Sequence, residues 1–181
     1  MPVFRFRLHA VCALLTTLVL LSGCGAKTPW SEETVPTKLY IDAPRNFAVE
    51  FPGNWLRTAE SEQISFPAAE LVGWQSPESR NGEAAGHLTV ATLARPMGHD
   101  EMEKIIHEML PEFKIEKRSE MDVNRRPAKS LLGATDQWRY HFILLGSPLA
   151  SHVLVYAAAP EDFGRYQPQF KEMLSSFETL R

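Results

Sequence analysis

Two cysteines serve the whole chain of 181 residues, and neither stands where a folded domain would use a thiol. Cys12 sits inside an apolar run near the start, and Cys24 sits just beyond the end of that run. The rest of the chain therefore has no disulfide, no cysteine-ligated metal centre and no cysteine nucleophile, and packing alone must hold its fold. Catalytic signatures are equally scarce. No Gly-x-Ser-x-Gly elbow, phosphate loop or His-Glu-x-x-His occurs, and there is no internal repeat. Positive charge is not in excess either: the net charge is −3, which gives no general attraction to nucleic acid or to anionic lipid.

The apolar run itself is the first feature of note. It extends from Ala10 to Leu21, about a dozen residues, short of the roughly 20 that cross a bilayer core. Arg5 and Arg7 precede it, and an apolar core of about 7–15 residues behind a basic start is the layout of an export signal. Leu21-Ser22-Gly23-Cys24 follows directly. Cleavage as an ordinary secretory peptide is the plainer alternative, but the four residues match a more specific pattern in full.

That pattern resembles the lipobox of bacterial lipoproteins. The resemblance implies removal of residues 1–23, attachment of a diacylglyceryl group to the Cys24 thiol, and acylation by palmitate-type chains that anchor the protein in a membrane. One chain is a marginal anchor at roughly 0.8 kcal/mol per buried methylene, whereas two or three on one cysteine hold for good. Gly25 stands where an aspartate would imply retention in the inner membrane. In a Gram-negative cell the expected address is therefore the periplasmic face of the outer membrane. Losing Arg5 and Arg7 leaves the remainder more acidic than the full chain.

Residues 24–37 are polar and punctuated by proline, the composition of a tether. Trp30 within it has two uses open to it, at the membrane interface or against the domain. Residues 38–181 have the size of one domain. Short alternating runs predict strands at Lys38–Ile41, Phe47–Phe51, Ala69–Gln75, Gly86–Leu93, Phe113–Val123, Ala128–Leu132, Asp136–Leu145 and His152–Ala158. Ser76–Gly86 reads as a solvated loop. Glu101–Leu110 predicts a helix capped by Asp100 with Glu103 completing the box, its core stripe being Met102, Ile105, Ile106 and Met109. Glu161–Phe177 predicts a closing helix, with a kink or an opening turn at Pro168. The expected class is α+β, with helices packed on a mostly antiparallel sheet.

Three segments resemble the PsbP-like fold, which includes the photosystem II extrinsic protein and the DcrB-type lipoproteins. They are Phe47-Ala48-Val49-Glu50-Phe51-Pro52-Gly53-Asn54-Trp55, the turn Asn124-Arg125-Arg126-Pro127-Ala128, and the closing strand and helix from Val153 to Phe177. Arg125 departs from the pattern, which has glycine more often at that place. The resemblance implies an αβα sandwich and an accessory or assembly role at a membrane complex, through a protein partner. It supplies no catalytic residue, no metal and no cofactor.

The remaining chemistry is thin. His87, His99, His107, His141 and His152 do not recur at a shared-metal spacing, and pairing Leu145 with His152 would set His141 opposite Tyr156. Glu32-Glu33 and Glu60-Ser61-Glu62 lack the ligand number of a calcium loop and read as solvated charge. Trp55, Trp74 and Trp138 read as core aromatics. A second functional reading, a small-ligand-binding periplasmic module, would place a pocket against Trp55 or Trp74. A third, a hydrolase, would need serine and histidine, or aspartate and histidine, to converge in the fold.

Overall fold

A computed structural model of the chain describes residues 35–58, 66–67, 69–80 and 82–180. They belong to the unit Val35–Arg181. The chain begins with β1 (Thr37–Asp42), β2 (Phe47–Pro52), β3 (Leu56–Thr58) and β4 (Ala69–Gln75), then two short strands, β5 (Ser79–Arg80) and β6 (Glu83–Ala84). β7 (Gly86–Leu93) leads into helix α1 (His99–Met109), followed by β8 (Lys114–Val123), β9 (Arg126–Ala134), β10 (Arg139–Leu145) and β11 (His152–Ala158). Helix α2 (Phe163–Ser176) and β12 (Glu178–Thr179) close it.

Seven strands form one sheet in the order β3-β4-β7-β11-β10-β9-β8, every pairing antiparallel. A smaller sheet, β1-β2-β12, packs beside it, and β5 and β6 make a minor ladder. Successive side chains of a strand point to opposite faces, so each strand of the large sheet feeds two cores. One core gathers Trp74, Leu88, Leu154, Tyr156 and Ile143 against Phe170 and Met173 of α2 and against Phe47 and Val49 of the small sheet. The other gathers Ala91, Val153, Val155, Phe142 and Leu144 against Met102 and Ile106 of α1 and against Phe113. A helix thus covers each face of a mostly antiparallel sheet, the α+β class and αβα layering expected. β11 lies at the centre, and all seven of its residues are buried.

The helices repay a closer look. Met102 and Ile106 are fully buried and Ile105 and Met109 pack beside them, which makes the stripe a core face. Its start differs from expectation. Gly98 is the cap, with its carbonyl receiving the Met102 amide, and Asp100 lies inside the first turn. Asp100 instead pairs with Lys129 at 3.0 Å, and Glu103 pairs with Lys129 at 2.6 Å and Arg118 at 2.9 Å. Cross-layer ion pairs have won over local capping. In α2 an opening turn folds the amides of Asp162 and Phe163 onto the Ala159 carbonyl, and the helix then runs unbroken through Pro168.

The Ser76–Gly86 segment is less loose than its composition suggests. Ser76 is buried, its Oγ accepts from the Gly86 amide, and Glu78 reaches Tyr166 and Arg165 on α2 at 2.7 Å each. At the far edge of the sheet β8 exposes Lys114, Glu116, Lys117, Arg118, Glu120 and Asp122, charge that discourages another strand from adding there.

Gly133 fixes how closely β9 approaches β8. A Cβ there would lie 2.2 Å from the Lys114 carbonyl oxygen and 2.7 Å from the Phe113 ring. Gly133→Ala is expected to cost about 1–3 kcal/mol or more, as overpacking does. Gly164→Ala, where nothing lies within 4 Å, should cost nothing. Urea denaturation of the two variants checks the contrast.

Candidate functional site

Cys24 and the lipobox residues Leu21, Ser22 and Gly23 lie outside the described residues, as do Trp30, Glu32-Glu33 and Glu60-Ser61-Glu62. The side chains that sequence marked inside the domain fall in four places, apart from His107, which is exposed on α1.

The first is a serine–histidine contact. Leu145 does oppose His152 and His141 does oppose Tyr156, so the two imidazoles stay apart. β9, however, brings Ser130 beside His141, with Oγ 2.8 Å from Nε2. Sequence reasoning passed over Ser130, because only the β9–β10 register makes it a diagonal neighbour. Ser130 is buried, and Phe170 of α2 meets the imidazole edge-on at 5.2 Å between centroids. A general base would need the serine hydroxyl to donate to Nε2, which puts the ring proton on Nδ1. Nδ1 is buried and has no partner, so no carboxylate holds that tautomer. The opposite tautomer, with Nε2–H donating to Ser130, leaves only an acceptor unmet. In that tautomer Ser130 satisfies the Nε2 side of a half-buried histidine.

The second place is His152, which is fully buried. Its Nε2 lies 3.1 Å from the Arg45 carbonyl, which only accepts, so Nε2 carries the proton. The rings of Phe47 and Phe177 flank it at 5.8 and 5.4 Å. Arg45 is itself a hub. Its amide and one guanidinium nitrogen both reach Asp42, and its Nε pairs with Glu70 on β4 at 2.8 Å. Burial works to raise the Asp42 pKa, but hydrogen bonds from Arg45 and Tyr40 outweigh it and hold the carboxyl below its ordinary value. These groups lock the β1–β2 loop onto the large sheet. His87, also buried, donates from Nε2 to the Ala84 carbonyl at 3.1 Å and meets Trp138 edge-on.

The third is a shallow groove at the start of α1, about 350 Å³ with an adjoining part of about 380 Å³. Both parts include His99 and Glu120. Among the described residues no three His, Asp or Glu side chains converge as metal ligands. Two of the groove's carboxylates are already engaged, Asp100 by Lys129 and Glu101 by Arg95.

The fourth is a cleft of about 470 Å³ between the β8–β9 turn and the chain's end, lined by Val123, Asn124, Arg125, Arg126, Phe177, Glu178 and Thr179. Asn124 and Arg125 are the two central residues of this turn, with φ of 48° and 66°, the signature of a type I′ hairpin. The Asn124 side-chain amide donates to the Phe177 carbonyl at 2.5 Å and so ties turn to terminus. The ligand-binding reading set its pocket against Trp55 or Trp74. Trp74 is fully buried and stacks on Phe51, and Trp55 is buried against Tyr166.

No known family's sequence profile matches the chain, and no curated protein matches it. Likeness appears in solved structures. The solution structure of cyanobacterial PsbP (CyanoP) from Synechocystis sp. PCC 6803 superposes with a TM-score of 0.58 at 12% identity, over 88% of this chain and 98% of that one. A crystal structure from Bacteroides thetaiotaomicron VPI-5482 gives a TM-score of 0.54 at 11% identity over 80% of this chain, which spans only 48% of that protein. The fold is therefore PsbP-like. At such identity the likeness extends to the fold alone.

The buried histidines tie stability to pH. Burial, reinforced by nearby Lys171 and Lys117, lowers the His141 pKa from 6.5 to about 4. Between those values the unfolded chain binds the proton and the folded chain does not. Stability is then fully present above pH 6.5 and falls as pH drops towards 4, by on the order of 3 kcal/mol for this group. His152, its pKa lowered chiefly by burial, acts in the same direction. His141→Gln, which retains a donor for Ser130, should flatten the urea midpoint against pH between 6.5 and 4. Equal slopes in the two proteins would contradict this.

Proposed function

We propose that the chain is a lipoprotein of the cell envelope, lipid-anchored through Cys24 with its domain outside the cytoplasm. In this reading it serves a membrane protein complex as a non-enzymatic accessory or assembly factor, through a protein partner. In a Gram-negative cell that places it on the periplasmic face of the outer membrane. The observation that carries the reading is Leu21-Ser22-Gly23-Cys24 set directly after a short apolar core. No helix among the described residues is long and apolar enough to cross a membrane, so the anchor is the means of attachment proposed. A domain whose serine–histidine contact lacks an orienting group among the described residues, and whose His87 and His152 sit in the core, suits a role in contact rather than turnover.

The second reading, a small-ligand-binding module, is favoured by one observation: the cleft at Arg125 and Arg126. It differs from the site that sequence suggested, and it is compatible with an anchored protein.

Labelling cells with an alkyne-bearing palmitate, then weighing the purified protein, tests the anchor. The expected product carries label and begins at Cys24, while the Cys24→Ala form is unlabelled and retains residue Met1. An unlabelled wild-type protein overturns the reading. Turnover of a defined substrate that is abolished by both Ser130→Ala and His141→Gln would overturn its non-enzymatic part.

A further inference from the structure

The β8–β9 turn carries an arginine where the backbone asks for glycine. Arg125 has φ of 66°, a left-handed conformation that glycine adopts without strain and a longer side chain does not. Asn124 before it is one of the few residues that tolerate that region. The fold would be served better by glycine, so the guanidinium has to be justified by something other than the turn.

Its neighbours in the domain do not justify it. Arg45, Arg95, Arg118, Arg139 and Arg165 each pair with a carboxylate, and Arg57 donates to the Tyr40 hydroxyl. Arg125 and Arg126 alone among arginines with described side chains have no such partner among the described residues. They stand side by side at one cleft, in a chain whose net charge is −3. Glu178 is the single carboxylate lining that cleft, so the local balance is one positive charge in excess. The hydroxyl of Thr179, also in the lining, is buried and makes no hydrogen bond. The Phe177 side chain is buried, stacked on Phe47, and its carbonyl is held by the Asn124 side-chain amide.

We propose that this cleft binds an oxyanion, a carboxylate or phosphate group borne by a small organic molecule or a lipid headgroup. Arg125 and Arg126 present planar, fixed-charge forks that match the two oxygens of such a group. A cleft of about 470 Å³ is larger than a bare phosphate needs and falls in the range of small-molecule sites. The proposal stands apart from lipidation, since no residue of the cleft belongs to the anchor.

The test uses the full-length protein in a neutral detergent, with Arg125→Gly and Arg126→Ala beside it. Inorganic phosphate, citrate and monomeric dihexanoyl phosphatidylglycerol are titrated separately by calorimetry, at low and at high salt. Saturable binding of at least one probe is expected, weakening with salt and weakened about tenfold or more by either substitution. Arg125→Gly should at the same time melt higher than wild type, because it relieves the left-handed strain; loss of binding then cannot be blamed on unfolding. Binding of phosphate or citrate assigns a free anion, and binding of the lipid alone assigns a headgroup. Equal binding by wild type and Arg125→Gly, or no binding of any probe, overturns the proposal.

Discussion

A strand buried along its whole length, with a neighbour nearly so, obliges the chain to cover both faces of the sheet they share. β11 has no exposed residue, and β10 beside it buries Tyr140 and the run from Phe142 to Leu145. Such a hairpin cannot sit on a surface. α1 and Phe113 meet it from one side, and α2 with the small sheet meets it from the other. Every polar group carried into that layer must also find a partner there, because water cannot reach it. The Tyr156 hydroxyl donates to the Phe163 carbonyl, His152 donates to the Arg45 carbonyl, and His141 meets Ser130. His141 and His152 are thus parts of the packed layers, while His99 and His107 lie on α1 outside them.

The same constraint sets the remote contacts. The His152 bond to Arg45 spans 107 residues and fastens the first hairpin to the central strand. Asp42 and Glu70 hold the Arg45 guanidinium, so one arginine joins β1, β4 and β11. With the interior committed to packing, free functional groups are left to the edges and turns. The β8–β9 turn is where two arginines with no carboxylate partner among the described residues, a buried hydroxyl and a concave surface meet. Ligand recognition there would leave the packed core undisturbed, since the cleft draws on a turn and the C-terminal strand.

How much of this was legible in sequence follows from how local each feature is. The β10–β11 register was readable, because apolar runs flank a Gly-Ser-Pro turn segment, although β10 begins at Arg139 and not at Asp136. The stripe on α1 was readable for the same reason. The start of α1 was misread, since Asp100 and Glu103 have capping spacing but spend their charge on Lys129, brought near only by the sheet. β3, β5 and β6 are too short to show a period. The Ser130–His141 contact depends on strand register, and the cleft on a turn meeting residues some fifty positions later. One local sign of the cleft did exist: an arginine at Arg125, where PsbP-like turns favour glycine. Trp55 and Trp74 were read rightly as core.

Native-state hydrogen exchange on the full chain tests most directly whether the doubly covered hairpin governs the fold. Amides of β7, β10 and β11 should exchange only through global unfolding, with opening free energies equal to the stability measured by denaturation. Those of β1, of the β8 edge and of the Asn124–Arg125 turn should exchange earlier, through local opening. Exchange in β10 and β11 well below the global stability, while α2 stays protected, would contradict the account.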